Sequence, residues 1–141
     1  MTREEISSRC NTIEECYEFL LAYAGQGLSG RETTASTGQL RDFLSRAAQA
    51  LAGLGNVLAA AVQNEKLEPA NQFLAFCSVL DRDACDSLAA IELVLGQKVI
   101  SSQLIDNLNA SIHLRALLTD LFLLDEIFKP QPVEPKLIIP D

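Results

Sequence analysis

The chain has 141 residues and a mass of 15.4 kDa, one domain's worth, which excludes a second catalytic domain and suffices to bury roughly 68% of the surface exposed by the unfolded form. Its 48% hydrophobic and 21% charged residues are those of a globular domain, not of a disordered or collagen-like chain. Lys and Arg total 11 against 19 Asp and Glu, a net charge of −8 that opposes docking on a nucleic-acid backbone or an anionic membrane.

Leu (23) and Ala (17) dominate, Val and Ile together number 15, and Trp is absent, a balance that favours helix over sheet. The start, Met-Thr-Arg-Glu-Glu, has no apolar signal core, and no apolar run approaches the length of a membrane span. The four cysteines, Cys10, Cys16, Cys77 and Cys85, are too sparse for a disulfide scaffold, so free thiols and a cytoplasmic setting are expected.

In chain order, Ile6, Cys10, Ile13, Tyr17, Leu20 and Ala24 form one stripe of a helix near 3–24. Thr2 with Glu5 reads as a capping box, and a second box, Thr12 with Glu15, predicts an interruption near Asn11. Gly25 to Gly38, rich in Gly, Ser and Thr, reads as a long loop. Leu40, Leu44, Ala47, Leu51, Leu54, Leu58 and Ala61 alternate spacings of 4 and 3 and predict a second helix over 39–64. Gly53 and Gly55 each cost this helix about 1 kcal/mol relative to Ala, which close packing or a ligand would offset.

Pro69 suits the start of a third helix over 69–95, with the stripe Phe73, Cys77, Leu80, Ala84, Leu88, Ile91 and Leu95. Gly96 is placed for a left-handed C-terminal cap. A fourth helix over 101–129 is expected to begin at Ser101 or Ser102 and to turn Leu104, Leu108, Ile112, Leu118, Leu121 and Phe128 inward. Between Ile112 and Phe128 eleven of seventeen residues are apolar, and they fall on two faces. Leu114, Leu117, Leu121, Leu124 and Phe128 form one; Ile112, Ala116, Leu123 and Ile127 form the other. A helix apolar on two sides is central or buries its second side against another molecule.

The last thirteen residues hold four of the five prolines, which favours extended backbone. Within them Leu137, Ile138 and Ile139 read as a docking element for a groove of the chain itself or of a partner.

No chemistry stands at diagnostic spacing. Gly25-Gln26-Gly27-Leu28-Ser29-Gly30 matches a dinucleotide fingerprint in letters only, because a helix precedes it and a Thr/Ser-rich loop follows. His113 is the single histidine, which excludes a bundle di-iron site and a zinc site of two Cys and two His. No cysteine pair has C-x-x-C spacing. Cys10 and Cys77 sit on apolar stripes, whereas Cys16 and Cys85 lie beside them. Asp81 with Asp83, and Asp120 with Asp125, do not share a helix face.

The expectation is therefore an all-α, antiparallel up-and-down four-helix bundle over 1–129 with an extended proline-rich tail over 130–141. The expected function is that of a non-enzymatic, cytoplasmic accessory, adaptor or chaperone-like protein that binds a protein partner or itself as a homodimer. Its contact residues would be Leu114, Leu117, Leu121, Leu124, Ile127, Phe128, Leu137, Ile138 and Ile139, with no metal, cofactor, nucleic acid or membrane. The alternatives are a bundle that holds an apolar small molecule between the small residues of the second helix and Phe73, Phe76 and Phe122, and a thiol enzyme using Cys16 or Cys85.

Overall fold

A computed structural model describes residues 3–25 and 34–128. All regular structure among the described residues is α-helical: α1 (Arg3–Gly25), α2 (Thr34–Leu51), α3 (Leu54–Asn64), α4 (Ala70–Leu95), α5 (Ser102–Ala110) and α6 (His113–Phe128). The loop expected at 25–38 is shortened, because α2 already begins at Thr34; residues 26–33 lie outside the described residues, as do the tail and its Leu137, Ile138 and Ile139.

The second and fourth expected helices are each broken once. At Gly53 the backbone is left-handed, with φ of 69°, a conformation open to glycine at no steric cost, and it ends α2 and starts α3. Arg9 of α1 supports the break: its guanidinium donates to the Ala52 carbonyl at 2.8 Å and the Ala50 carbonyl at 3.4 Å. Such carbonyls at a helix end otherwise lack intrahelical donors. The second break falls at Ser111–Ile112, where Ser111 donates its hydroxyl to the Leu108 carbonyl and Ile112 takes φ of 63°. Left-handed backbone is costly for a β-branched residue. Ile112, expected to face inward, is instead 59% exposed.

Conversely, α1 runs unbroken through Asn11. Thr12 does not cap a new helix; its hydroxyl donates back to the Ser8 carbonyl four residues earlier, the alternative open to a mid-helix Thr. Gly96 keeps right-handed backbone (φ −72°) and so does not supply the left-handed cap. The α4 C-terminus is capped by Arg41 of α2, whose guanidinium donates to the carbonyls of Leu95, Gln97 and Lys98, a cation at the negative end of the helix dipole. Ser101 does cap α5, its Oγ accepting from the Leu104 amide at 3.0 Å.

α1 packs against α2 and α5, α4 against α2, α3 and α6, and α1 also meets α6. The pairings run antiparallel: Arg41 reaches the end of α4 while Gly55 abuts Asp81 near its middle, and Phe73 stacks on Phe128 at 5.8 Å. A Cβ on Gly55 would sit 2.7 Å from the Asp81 Cα, so this glycine sets how closely α3 approaches α4. The core draws on every helix, with Ile13, Leu20, Leu40, Leu44, Leu54, Leu80, Ile105 and Leu117 fully buried.

The inward register of the α2–α3 stripe holds from Leu40 to Leu58. On α1 it is wider than one stripe: Cys16 and Tyr23 are buried, while Cys10 and Tyr17 are half-buried. The reason is that α1 is covered by α2 on one flank and by α5 and α6 on the other, so its buried arc spans both.

Candidate functional site

The N-terminal half of α1, the last turns of α3, the start of α4 and the C-terminal half of α6 do not close completely on one another. Between them lies a cleft of about 420 Å³, within the range of small-molecule pockets, about 300–1,000 Å³. Its walls are Ile6 and Cys10 from α1, Leu58, Ala61 and Val62 from α3, Phe73 and Cys77 from α4, and Leu118, Leu121, Phe122, Leu124 and Phe128 from α6. The helical spacing 6–10, 58–61–62, 73–77 and 118–121–122 aims each group from one helix face at the same space.

Polar groups sit at the rim. Arg3 spans the mouth, its Nε donating to the Glu65 carboxylate at 2.9 Å and its guanidinium lying 5.4 Å from the centre of the Phe128 ring. Glu14 and Asp125 also line the cleft. Both face the Cys10 thiol, which is pushed up to about 11 by burial first and then by the negative charges of Asp125 and Glu14. Burial also pushes Cys77 up. The two thiols in the wall are thus held neutral near neutral pH and behave as small apolar groups.

Of the aromatic residues expected to face the second helix, Phe73 and Phe122 line the cleft, together with Ala61; Phe76 is half-buried elsewhere. Of the expected contact residues, Leu114, Leu117, Leu121 and Leu124 are buried in the chain's own core, each at most 6% exposed. Leu121 and Leu124 reach from that core into the cleft wall. Phe128 is half-buried at the cleft mouth, and Ile127 is 48% exposed. The second face of the helix is the open one, with Leu123 51% exposed.

Of the cysteines considered for thiol chemistry, Cys16 is fully buried and pushed up to about 12 by desolvation, the opposite of what an attacking thiolate requires. Cys85 is exposed, its Sγ 4.0 Å from an Asp81 carboxylate oxygen. His113 is exposed at the start of α6. Among the described residues no group of three or more His, Cys, Asp or Glu is placed to hold a metal ion, and no helix is long and apolar enough to cross a membrane.

One juxtaposition escapes any reading of spacing along a single helix. Asp120 of α6 meets Asp83 of α4, and its carboxyl is pushed up to about 7 by desolvation first, then by its hydrogen bond to Asp83 and the Asp83 charge. Two like charges brought together in a partly dry contact favour the protonated form of one of them. Neither lines the cleft, so the pair acts on the α4–α6 contact and not on a ligand there.

The sign follows from linkage: the folded-state value lies above the ordinary 3.8, so the stabilisation is complete below about pH 4 and is lost as pH rises through 7. Asp120→Asn, which keeps a hydrogen-bond donor towards Asp83 without the second charge, is expected to melt higher than the wild type at pH 8.5. The difference should shrink towards pH 5 in thermal melts followed by circular dichroism. An unchanged difference across that range would show that neither carboxyl of the pair takes up a proton there.

Compared with known protein families, curated proteins and solved structures, the chain matches none of them.

Proposed function

We propose that this chain is a non-enzymatic binding protein, an acidic cytoplasmic bundle of four helical rods, two of them broken, whose cleft between α1, α3, α4 and α6 takes an apolar ligand. The observation that carries this reading is the cleft itself, about 420 Å³ with apolar walls from four helices. An open cleft of that size with mainly apolar walls is the kind of concave surface that takes a ligand. The charge at the rim orients an entering group, and the neutral thiols of Cys10 and Cys77 present no reactive anion to it.

The test uses N-phenyl-1-naphthylamine, a neutral apolar fluorophore, titrated with the full chain. Saturable, blue-shifted fluorescence is expected, and Ala61→Phe, which extends a ring into the cleft from α3, is expected to weaken it about tenfold or more, a loss of about 1.4 kcal/mol. Unchanged far-UV circular dichroism would show that the variant is folded. Wild-type protein that is folded yet gives no saturable signal would remove the reading.

A second reading, self-association, is favoured by the outer face of α6. Leu123 and Ile127, both about half-exposed, fall with Ala116 at spacings of 7 and 4 on one stripe, the pattern of a helix seam, with the exposed Ile112 just before the helix. Light scattering of the full chain is expected to give a dimer that Leu123→Glu converts to monomer. A wild-type monomer at high concentration would exclude it.

A further inference from the structure

The cleft and the chain's own C-terminal residues are complementary in position, polarity and charge. Phe128, the last described residue of α6, is half-buried and lines the cleft, so the residues that follow it start beside the cleft. The cleft extends along α6 from Phe128 back to Leu118, about 15 Å at the rise of a helix. The eight residues after Phe128, up to Lys136, would span up to about 25 Å if extended, enough to turn there and run back along the cleft. Pro130 and Pro132 are residues that disfavour helix and make an extended course cheap in entropy.

The polarity also matches. Lys136 is followed at once by Leu137, Ile138 and Ile139, one cation beside three large apolar side chains. The cleft offers the converse: apolar walls beside a rim carrying Glu14 and Asp125. Neither carboxylate is in an ion pair among the described residues, although both lie near enough to Cys10 to act on its thiol.

We infer that Lys136–Ile139 is the cleft's intramolecular occupant, with Leu137, Ile138 or Ile139 seated among Phe73, Leu121 and Phe122 and Lys136 on the Glu14–Asp125 rim. The inference rests on the cleft being a seat for apolar groups, and it adds that an external ligand must displace the chain's own end. The tail then sets a threshold: a ligand that reaches the cleft only a tenth of the time binds about tenfold more weakly than its intrinsic affinity.

The experiment uses the full chain, its variant L137S/I138S/I139S, which leaves every described residue unchanged, and two readouts. One is titration with N-phenyl-1-naphthylamine; the other is nuclear Overhauser contact from the Ile138 and Ile139 methyls to the rings of Phe73 and Phe122. The expected result is contact that persists on dilution in the wild type, and roughly tenfold tighter probe binding by the variant. Equal probe binding by both chains without methyl–ring contacts would overturn the inference and leave the cleft reading intact. Methyl–ring contacts with no probe binding by either chain would support the intramolecular seat while removing the external ligand. Contacts that appear only between differently labelled chains in a mixed sample would assign the seat to a second copy and overturn the intramolecular assignment.

Discussion

Gly55→Ala is expected to lower the stability of the fold by about 2 kcal/mol in urea unfolding, although local helix propensity argues for the opposite sign. Gly55 lies in the first turn of α3 with right-handed backbone, so an added methyl group alone would improve the helix by about 1 kcal/mol. Against this, the new Cβ would lie 2.7 Å from the Asp81 Cα and closer still to its side chain. The obstacle includes backbone, which cannot rotate away, and relieving it means moving α3 off α4 along a contact that also buries Leu54, Leu58 and Leu80. Overpacking of this kind costs about 1–3 kcal/mol, occasionally more, and outweighs the propensity gain. Stabilisation of the variant would show that the two helices slide past each other without penalty. Gly53→Ala tests the neighbouring glycine by a different mechanism, since there nothing lies near the added Cβ and the cost, about 1–2 kcal/mol, comes from left-handed backbone alone.

Leu117→Ala is expected to cost about 3 kcal/mol and Leu123→Ala to stay within about 0.5 kcal/mol, although both are leucines of one apolar helix. Leu117 is fully buried, whereas Leu123 is 51% exposed. Truncating the first leaves a cavity among α1, α4 and α6 in addition to the lost transfer energy; truncating the second removes a group already half in water. Chemical denaturation at two protein concentrations checks the pair and separates core from contact surface. A concentration-dependent loss for Leu117→Ala would mean that its burial is shared with a second chain.

Several features of the fold were legible as periodicity. Leu40, Leu44, Ala47, Leu51, Leu54 and Leu58 are all buried, because residues three and four apart share a helix face whatever packs against it. The Ser101 cap was legible for the same kind of local reason. The two breaks were not. Gly53 signalled a weak point in α2–α3, but Arg9, which satisfies the carbonyls there, lies about forty residues earlier on another helix. At Ile112 the propensity of a β-branched residue pointed away from left-handed backbone, and tertiary context prevailed. Cys16 was placed beside the stripe, and Tyr23 was not read as core at all, because a single stripe assumes one neighbour, whereas α1 has neighbours on two flanks.

The candidate site shows the same division. Phe73, Phe122 and the small residues of the second expected helix could be named as possible walls, since each is apolar at helical spacing. That they leave a cleft rather than a filled core depends on how four helices meet, which no spacing along one helix contains. The Asp83–Asp120 pair was invisible for the same reason: thirty-seven residues separate two carboxyls that the α4–α6 contact brings together.

By itself the sequence determined the all-helical class, the charge that disfavours phosphate backbones, the inward stripes of α2–α3 and α4, and the absence of a histidine-based metal motif. These follow from composition and from the 3.6-residue repeat, both local properties of the chain. Only the tertiary structure decided which apolar face of α6 is core, where two helices break, which carboxyls meet and where an apolar space remains. Each of those depends on the distance between segments remote in sequence, and that distance is set by side chains such as Gly55, Arg9 and Arg41 acting across helix contacts.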